Sequence, residues 1–287
     1  MIVITGATGH LGHAIVKSLI NRVPANQVGA SARDPAKAAD LEALGVRVRR
    51  GDYDDVESLK HSFEGATQIL MISSNAGASG GDPLAQHRNA ITAARAVGVK
   101  RIVYTSHMGA SSTSLFPPML DHAATEVILA DSGLAWTALR HGFYAASGIA
   151  IMGDVLKTGV IETLADGKVS WTAHADLAEA AAFILAHEGR YDGPTPPLTG
   201  SEALDYDDVA GIVSKLINKP VRHEVLTDEA HRTKISARGA PEAAIKSLVG
   251  LYAASRTGEF ATVDPTLTHL LGRNPITMRA LIAAKVE

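Results

Sequence analysis

Three evenly spaced glycines, Gly6-Ala-Thr-Gly9-His-Leu-Gly12, stand between an apolar run (Ile2, Val3, Ile4) and an amphipathic one (Leu11, Ile15, Val16, Leu19, Ile20). The chemistry this arrangement allows is the holding of a dinucleotide pyrophosphate. Glycine removes the Cβ that would block the phosphates, and a helix beginning there offers free N–H groups and a partial positive charge. The spacing is G-x-x-G-x-x-G, with one more residue between the first two glycines than in the G-x-G-x-x-G fingerprint. Gly6, Thr8, Gly9, His10, Leu11 and Gly12 are the expected contacts to the cofactor. The plain alternative is a tight strand–helix turn with no ligand.

An acidic residue about 20 positions past the glycines would accept hydrogen bonds from the ribose hydroxyls of NAD. Here the second strand ends Ser31-Ala-Arg33, with Lys37 one turn further on. A guanidinium in that position favours the 2′-phosphate of NADP(H), which it can grip through two parallel N–H···O contacts. Asp34 is expected to cap the helix that Pro35 begins. Asp52, after the third strand, either meets the adenine amino group or caps the next helix. Ser73 and Ser74, at the end of the fourth strand, and Thr105 and Ser106, at the end of the fifth, are expected along the ribose and nicotinamide.

Proton chemistry is harder to locate. A short-chain dehydrogenase carries Tyr-x-x-x-Lys after its fifth strand, the lysine lowering the tyrosine pKa for proton exchange. None of the tyrosines fits: four places after Tyr104 stands Met108, after Tyr53 Glu57, and after Tyr144 Gly148. His122 and His141 are the candidates for proton supply or substrate orientation, because histidine can titrate near neutrality. Helix-start hydrogen bonding for His122 and simple packing for His141 stand beside that reading. His10 and His13 have a metal-like i, i+3 spacing, yet the sequence offers no nearby carboxylate or cysteine to complete a site, and no metal is expected. Neither Ser73 nor Ser106 sits in G-x-S-x-G, so a hydrolase nucleophile is not indicated.

The elements that position these residues alternate in a regular way. Strands are expected at Gln27–Ser31, Val46–Arg50, Ile69–Ile72, Arg101–Thr105 and Leu134–Leu139, following the first. Helices are expected at Pro35–Leu44, Val56–Phe63, Leu84–Val97 and His122–Ala130. Strands apolar throughout, separated by helices, describe a doubly wound α/β Rossmann-type parallel sheet covered on both faces. Beyond Arg140 the rhythm breaks. Gly142–Met152 reads as helix, Gly159–Trp171 as two short strands, and Asp176–Ala186 as an alanine-rich helix capped by Asp176. Asp205–Leu216 reads as another helix, Val221–Leu226 as a strand, and the remainder as mostly helical. We therefore expect an NADP-binding domain over residues 1–140, with returning segments from 170–200, and a smaller substrate-binding α/β lobe over 141–287. Ligands of open α/β sheets sit at the carboxyl ends of the strands, and the glycine-rich Gly77–Pro83 loop is expected to be mobile and close to the cofactor.

Composition narrows the classes. The chain's 287 residues carry 27 basic and 30 acidic side chains, so phosphate neutralisation of nucleic acid has no support. There is no cysteine, which excludes disulfides, thiolate metal sites and a cysteine nucleophile. The first strand starts at residue 2 and no apolar stretch reaches the ~18–20 residues of a membrane span. A cytoplasmic protein, monomeric or homodimeric, is the expectation.

Taken together, Gly6–Gly12, Arg33-Asp-Pro-Ala-Lys37, Gly51-Asp-Tyr53, Gln86-His-Arg-Asn89, Tyr104-Thr-Ser106, His122-Ala-Ala-Thr-Glu126 and Leu139-Arg-His-Gly-Phe-Tyr144 resemble the NmrA-like atypical short-chain dehydrogenase/reductase family. Within it the chain is most similar to the NADPH:quinone oxidoreductase 2 and triphenylmethane reductase type. The resemblance runs through nearly the whole chain. It implies NADP(H) without flavin, a dispensable Tyr-x-x-x-Lys pair, and hydride transfer to a quinone or similar planar, conjugated acceptor. Tyr104 joins His122 and His141 among the catalytic candidates and His107 is expected against the substrate; Phe143 and Tyr144 either form an aromatic wall for a ring substrate or pack as core at the lobe boundary. Two departures bear on substrate: Val127 stands where relatives carry lysine, and His141 where they carry asparagine. A redox-sensing NADP-binding protein without turnover, and a reductase of dyes, aldehydes or imines, are the competing readings.

Overall fold

A computed structural model of the protein describes residues 1–286. The first part alternates β1 (Ile2–Ile4), α1 (His10–Leu19), β2 (Val28–Ala32), α2 (Ala39–Ala43), β3 (Arg47–Arg50), α3 (Val56–Phe63), β4 (Gln68–Met71), α4 (Pro83–Ala96), β5 (Arg101–His107), α5 (Pro117–Ala130) and β6 (Ala135–His141). There follow β7 (Phe143–Tyr144), α6 (Ala145–Ile151), α7 (Val155–Thr158), β8 (Val160–Thr163), β9 (Trp171–Thr172), α8 (His174–Ala186), β10 (Gly193–Pro194), α9 (Tyr206–Ile217), β11 (Arg222–Val225), α10 (Asp228–Ala237), α11 (Glu242–Arg256), α12 (Thr266–Leu271) and α13 (Met278–Val286). Among the described residues no helix is long and apolar enough to cross a membrane.

Seven strands form one parallel sheet in the order β10-β6-β5-β4-β1-β2-β3, a Rossmann-type α/β arrangement. The strand order reverses between β1 and β4, which opens a crevice at their carboxyl ends. Two cores flank the sheet. On one face α1 and α8 pack closely, because Ala178, Ala181 and Ala182 let the helices approach over Leu11, Ile15 and Leu19. On the other, α3, α4 and α5 cover Ile69, Ile102 and Tyr104. A third core, around Trp171, Tyr206, Tyr252 and Phe260, builds the later lobe, where β8 pairs with β11 and β7 with β9.

Several local expectations give way to long-range contacts. Pro117 starts α5 five residues before His122, and the Phe143–Tyr144 part of the expected Gly142–Met152 helix is strand, held by pairing with Trp171–Thr172. Asp176 does not cap α8. It lies in the first turn at 0 % exposure, accepting from the Ile276 amide at 2.6 Å and paired with Arg273 at 2.8 Å. The chain also rejoins the main sheet late: β10 adds beside β6, and α12 packs on α8 from within the segment 141–287. The Gly77–Pro83 region is partly ordered as a 3-10 turn at Ala76–Ser79 resting on α11, with Asp82 capping α4.

Candidate active site

The glycine turn is shaped by two constraints. Gly6 has φ of +57°, a left-handed conformation that side chains disfavour. A Cβ on Gly12 would lie 2.4 Å from the Gly6 carbonyl oxygen and 2.9 Å from its carbon, so only glycine lets α1 start this close to the turn. Gly9 precedes α1 without a side-chain cap, and no acidic residue stands in the first turn. Among the described residues the amides of His10, Leu11 and Gly12 find no acceptor. A helix start with free amides, no competing carboxylate and no Cβ in the way is a fitting cradle for pyrophosphate. Gly6, Thr8, Gly9 and His10 are exposed there, while the Leu11 side chain packs into the core.

Beyond β2, Arg33 is exposed and makes no ion pair among the described residues. Asp34, which could have opposed it, accepts from the Ala36 amide at 3.2 Å as the cap of the turn at Pro35. Asp52 accepts from the Asp54 amide at 3.2 Å and lies 3.8 Å from Arg50, whereas the cap of α3 is Asp55. The crevice floor is pinned by Tyr53, which donates to the Ile72 carbonyl at 2.6 Å, and by Asn89, which donates to the Tyr53 carbonyl at 2.8 Å.

Hydrogen bonds from the ends of β4 and β5 fix the next wall. The Ser73 amide donates to Thr105 Oγ1 at 2.8 Å. The Ser74 amide donates to His87 Nε2 at 2.9 Å, and the Ser74 hydroxyl bonds Gln86. Because His87 Nε2 accepts, its proton is on Nδ1, 2.8 Å from Thr125 Oγ1, whose own hydrogen goes to the Asp121 carbonyl at 2.7 Å. Burial pulls the His87 pKa down to about 4, which keeps this acceptor neutral.

Tyr104 and His122 are brought together, with Tyr104 Oη and His122 Nδ1 sharing a hydrogen bond of 2.8 Å. Tyr104 is 0 % exposed, and burial pushes its ionisation well above 10. His107 lies beside them, its ring 6.0 Å from His122, 5.1 Å from Phe143 and 5.5 Å from Phe260; its Nδ1 accepts from the Gly109 amide at 3.1 Å. His141 is also 0 % exposed, and among the described residues neither ring nitrogen has a hydrogen-bond partner. Tyr144 connects it to His174, with ring centroids 6.4 Å and 4.3 Å apart. The expectation that His122 and His141 titrate near neutrality is overturned. Burial first, then neighbouring imidazoles, pulls both to about 3, so each is neutral at pH 7.

Ser106 is on the same face of β5 as Tyr104. Its hydroxyl donates to Glu126 Oε1 at 2.6 Å, and Glu126 in turn takes two hydrogen bonds from Arg140, at 3.1 and 2.7 Å. This buried network joins β5, β6 and α5 beneath the imidazoles. The sequence reading missed its role, along with those of His87 and His174. Their residues lie inside or next to the quoted motifs, but only folding shows which groups face one another. His13, set aside for want of a carboxylate, in fact meets Asp40 at 2.8 Å; among the described residues no group of three metal ligands forms.

The description "NAD(P)H-binding" belongs to a family profile that matches residues 6–188. Quinone oxidoreductase 2 of Escherichia coli (strain K12) is 37% identical over 279 residues, covering 97% of this chain and 96% of that protein. The crystal structure of the Escherichia coli NADPH-dependent quinone oxidoreductase in complex with NADPH superposes with a TM-score of 0.91 at 36% identity, over 100% of this chain and 99% of the other. The Citrobacter sp. triphenylmethane reductase complexed with NADP(H) gives a TM-score of 0.88 at 30% identity and 100% coverage of both chains.

Proposed function

This chain belongs to the NmrA-like NAD(P)H-binding oxidoreductases, and on that premise we propose that it reduces quinones or similarly flat, conjugated acceptors with NADPH, directly and without flavin. One observation carries the reading. The glycine cradle stands at the sheet's switch point, and the groups packed around the carboxyl ends of β5 and β6 are aromatic rings and neutral imidazoles. Such surroundings suit a planar acceptor and a reaction driven by positioning and exclusion of water. The similarity to a quinone oxidoreductase and a triphenylmethane reductase points the same way.

When bound, the reduced nicotinamide supplies a hydride, that is, two electrons and one proton. A quinone that receives it becomes a hydroquinone anion, which needs one further proton, ultimately from water. We assign Tyr104, which keeps its O–H, as the donor to His122 Nδ1, in the tautomer that leaves Nε2 carrying hydrogen. That N–H is the donor we assign to the forming oxyanion, the neutral imidazole acting as a preorganised dipole. Thr105 and Ser73 hold the adjoining strand ends, and the Glu126–Arg140 pair keeps β5 and β6 in register below. His107, Phe143 and Tyr144 form the ring-lined side of the acceptor crevice.

The test is NADPH oxidation by the purified protein across benzoquinones, cationic dyes and aldehydes. Turnover with quinones is expected. Tight NADPH binding with no oxidation of any acceptor would instead support the sensing role. Cofactor choice has its own test: Arg33→Ala should weaken NADPH by about 10- to 100-fold, the worth of ~1.5–3 kcal/mol for charge-assisted contacts, while leaving NADH nearly unchanged. Equal losses for both cofactors would remove Arg33 from the 2′-phosphate.

A further inference from the structure

The later lobe holds a cavity of about 280 Å³ between the end of α6, β8, α10 and α11. None of its lining residues belongs to the glycine cradle or to the imidazole wall. Tyr252 and Leu248 line it from α11, Ile151 from the end of α6 and Met152 from just beyond it. The neighbouring Gly250 packs instead against Leu115 and Pro117. The cavity thus shares no lining residue with that site, and its volume falls just below the ~300–1,000 Å³ of drug-sized ligand pockets. A dinucleotide does not fit; one or two rings do.

Its polar groups are unevenly matched. Lys234 is paired with Glu162 at 2.5 Å, and Asp154 lies 3.9 Å from Lys157. Arg238 lines the cavity and makes no ion pair among the described residues; its guanidinium reaches to 3.9 Å of a Cβ placed on Gly153, at the cavity's edge. His231, 2 % exposed, also lines it. The imidazole stands edge-on to Tyr252 with centroids 5.6 Å apart, and among the described residues its Nδ1 has no hydrogen-bond partner. A buried polar atom left unpaired costs free energy that a bound polar group would recover. Apolar walls, an unpaired guanidinium and an unsatisfied imidazole select one kind of occupant. We propose that this cavity is a second binding site, for a small aromatic carboxylate, the carboxylate on Arg238 and the ring against Ile151, Leu248 and Tyr252. Guanidinium–carboxylate pairing is bidentate and charge-assisted.

The probe is 2-naphthoate, titrated calorimetrically into the full-length protein with and without saturating NADPH. One site is expected, with an affinity unaffected by NADPH. Arg238→Gln should weaken it at least 10-fold, and neutral 2-naphthamide should bind the unaltered protein at least 10-fold more weakly than the carboxylate. Arg238 is exposed, so the variant is expected to melt as the parent does. Absence of binding at millimolar probe, displacement of the probe by NADPH, or equal affinities for carboxylate and amide would each overturn the proposal. Failure here leaves the quinone reading intact, because that reading uses none of these residues.

Discussion

Gly12→Ala is expected to raise the Kd for NADPH by more than 100-fold and to abolish turnover at micromolar cofactor, while the protein remains folded. The added methyl would sit 2.4 Å from the Gly6 oxygen and 3.2 Å from the Ala7 Cα. Both are backbone atoms, so no side-chain rotation relieves the contact. Either the first turn of α1 withdraws or Gly6–Ala7 swings outward into the space the phosphates need. In both cases the His10, Leu11 and Gly12 amides lose their common aim, and with it the combined helix-start and hydrogen-bond attraction for an anion. The fold has more tolerance than the site. Leu11, Ile15 and Leu19 still bury against α8, and β1 keeps both neighbours in the sheet. Calorimetry with NADPH, paired with a thermal melt, checks this; an affinity within threefold of the parent would show that the turn does not hold the phosphates.

Acid sensitivity is the second large effect. His87, His122 and His141 have pKa values of about 4, 3 and 3 in the folded chain, each held down chiefly by burial. Unfolded, they return to the ordinary value near 6.5. The folded values are depressed, so the unfolded state binds more protons below about pH 6.5 and stability falls as pH drops through that value. The loss continues until the folded pKa values are reached. At pH 5.5 each histidine costs about 1.4 kcal/mol relative to pH 8, roughly 4 kcal/mol for the three, by linkage. Against a typical total of about 5–15 kcal/mol, that is a major fraction. Urea midpoints between pH 8 and 5 should be flat at the alkaline end and decline steeply below 6.5. His141→Asn should recover about 1.4 kcal/mol of the loss at pH 5.5, and its acceptor profile should differ from the parent's. A midpoint unchanged down to pH 5 would mean that the imidazoles are solvated in the folded chain.

What the sequence made legible is what neighbours along the chain decide. The glycine turn, the helix after Asp55 and the succession of buried strands depend on spacing and local conformation, so they could be read directly. Asp176 had the right place for a cap and lost that role to Arg273, ninety-seven positions later. Phe143 and Tyr144 lay in an apolar run that suits helix, until Trp171 and Thr172 supplied a strand partner. The state of the histidines was hidden for the same reason. His141 stood out in the sequence as a candidate, yet its neutrality comes from complete burial and from His174 and His122, on other elements. His87 offered a signal in Gln86-His-Arg-Asn89, but its tautomer needed the Ser74 amide to be seen. Arg33 was readable as a cation in the right region. That it stays unpaired, with Asp34 turned to Ala36, was not.

The central claim is that NADPH held by the glycine turn passes hydride straight to the acceptor. Single-turnover oxidation of NADPH followed at 340 nm, with deuterium at one or the other face of nicotinamide C4 and flavin-free protein, tests it most directly. Oxidation by a benzoquinone is expected, with a rate slowed at least twofold by deuterium on one face only. Equal rates for both labelled cofactors and the unlabelled one, with a requirement for added flavin, would contradict it.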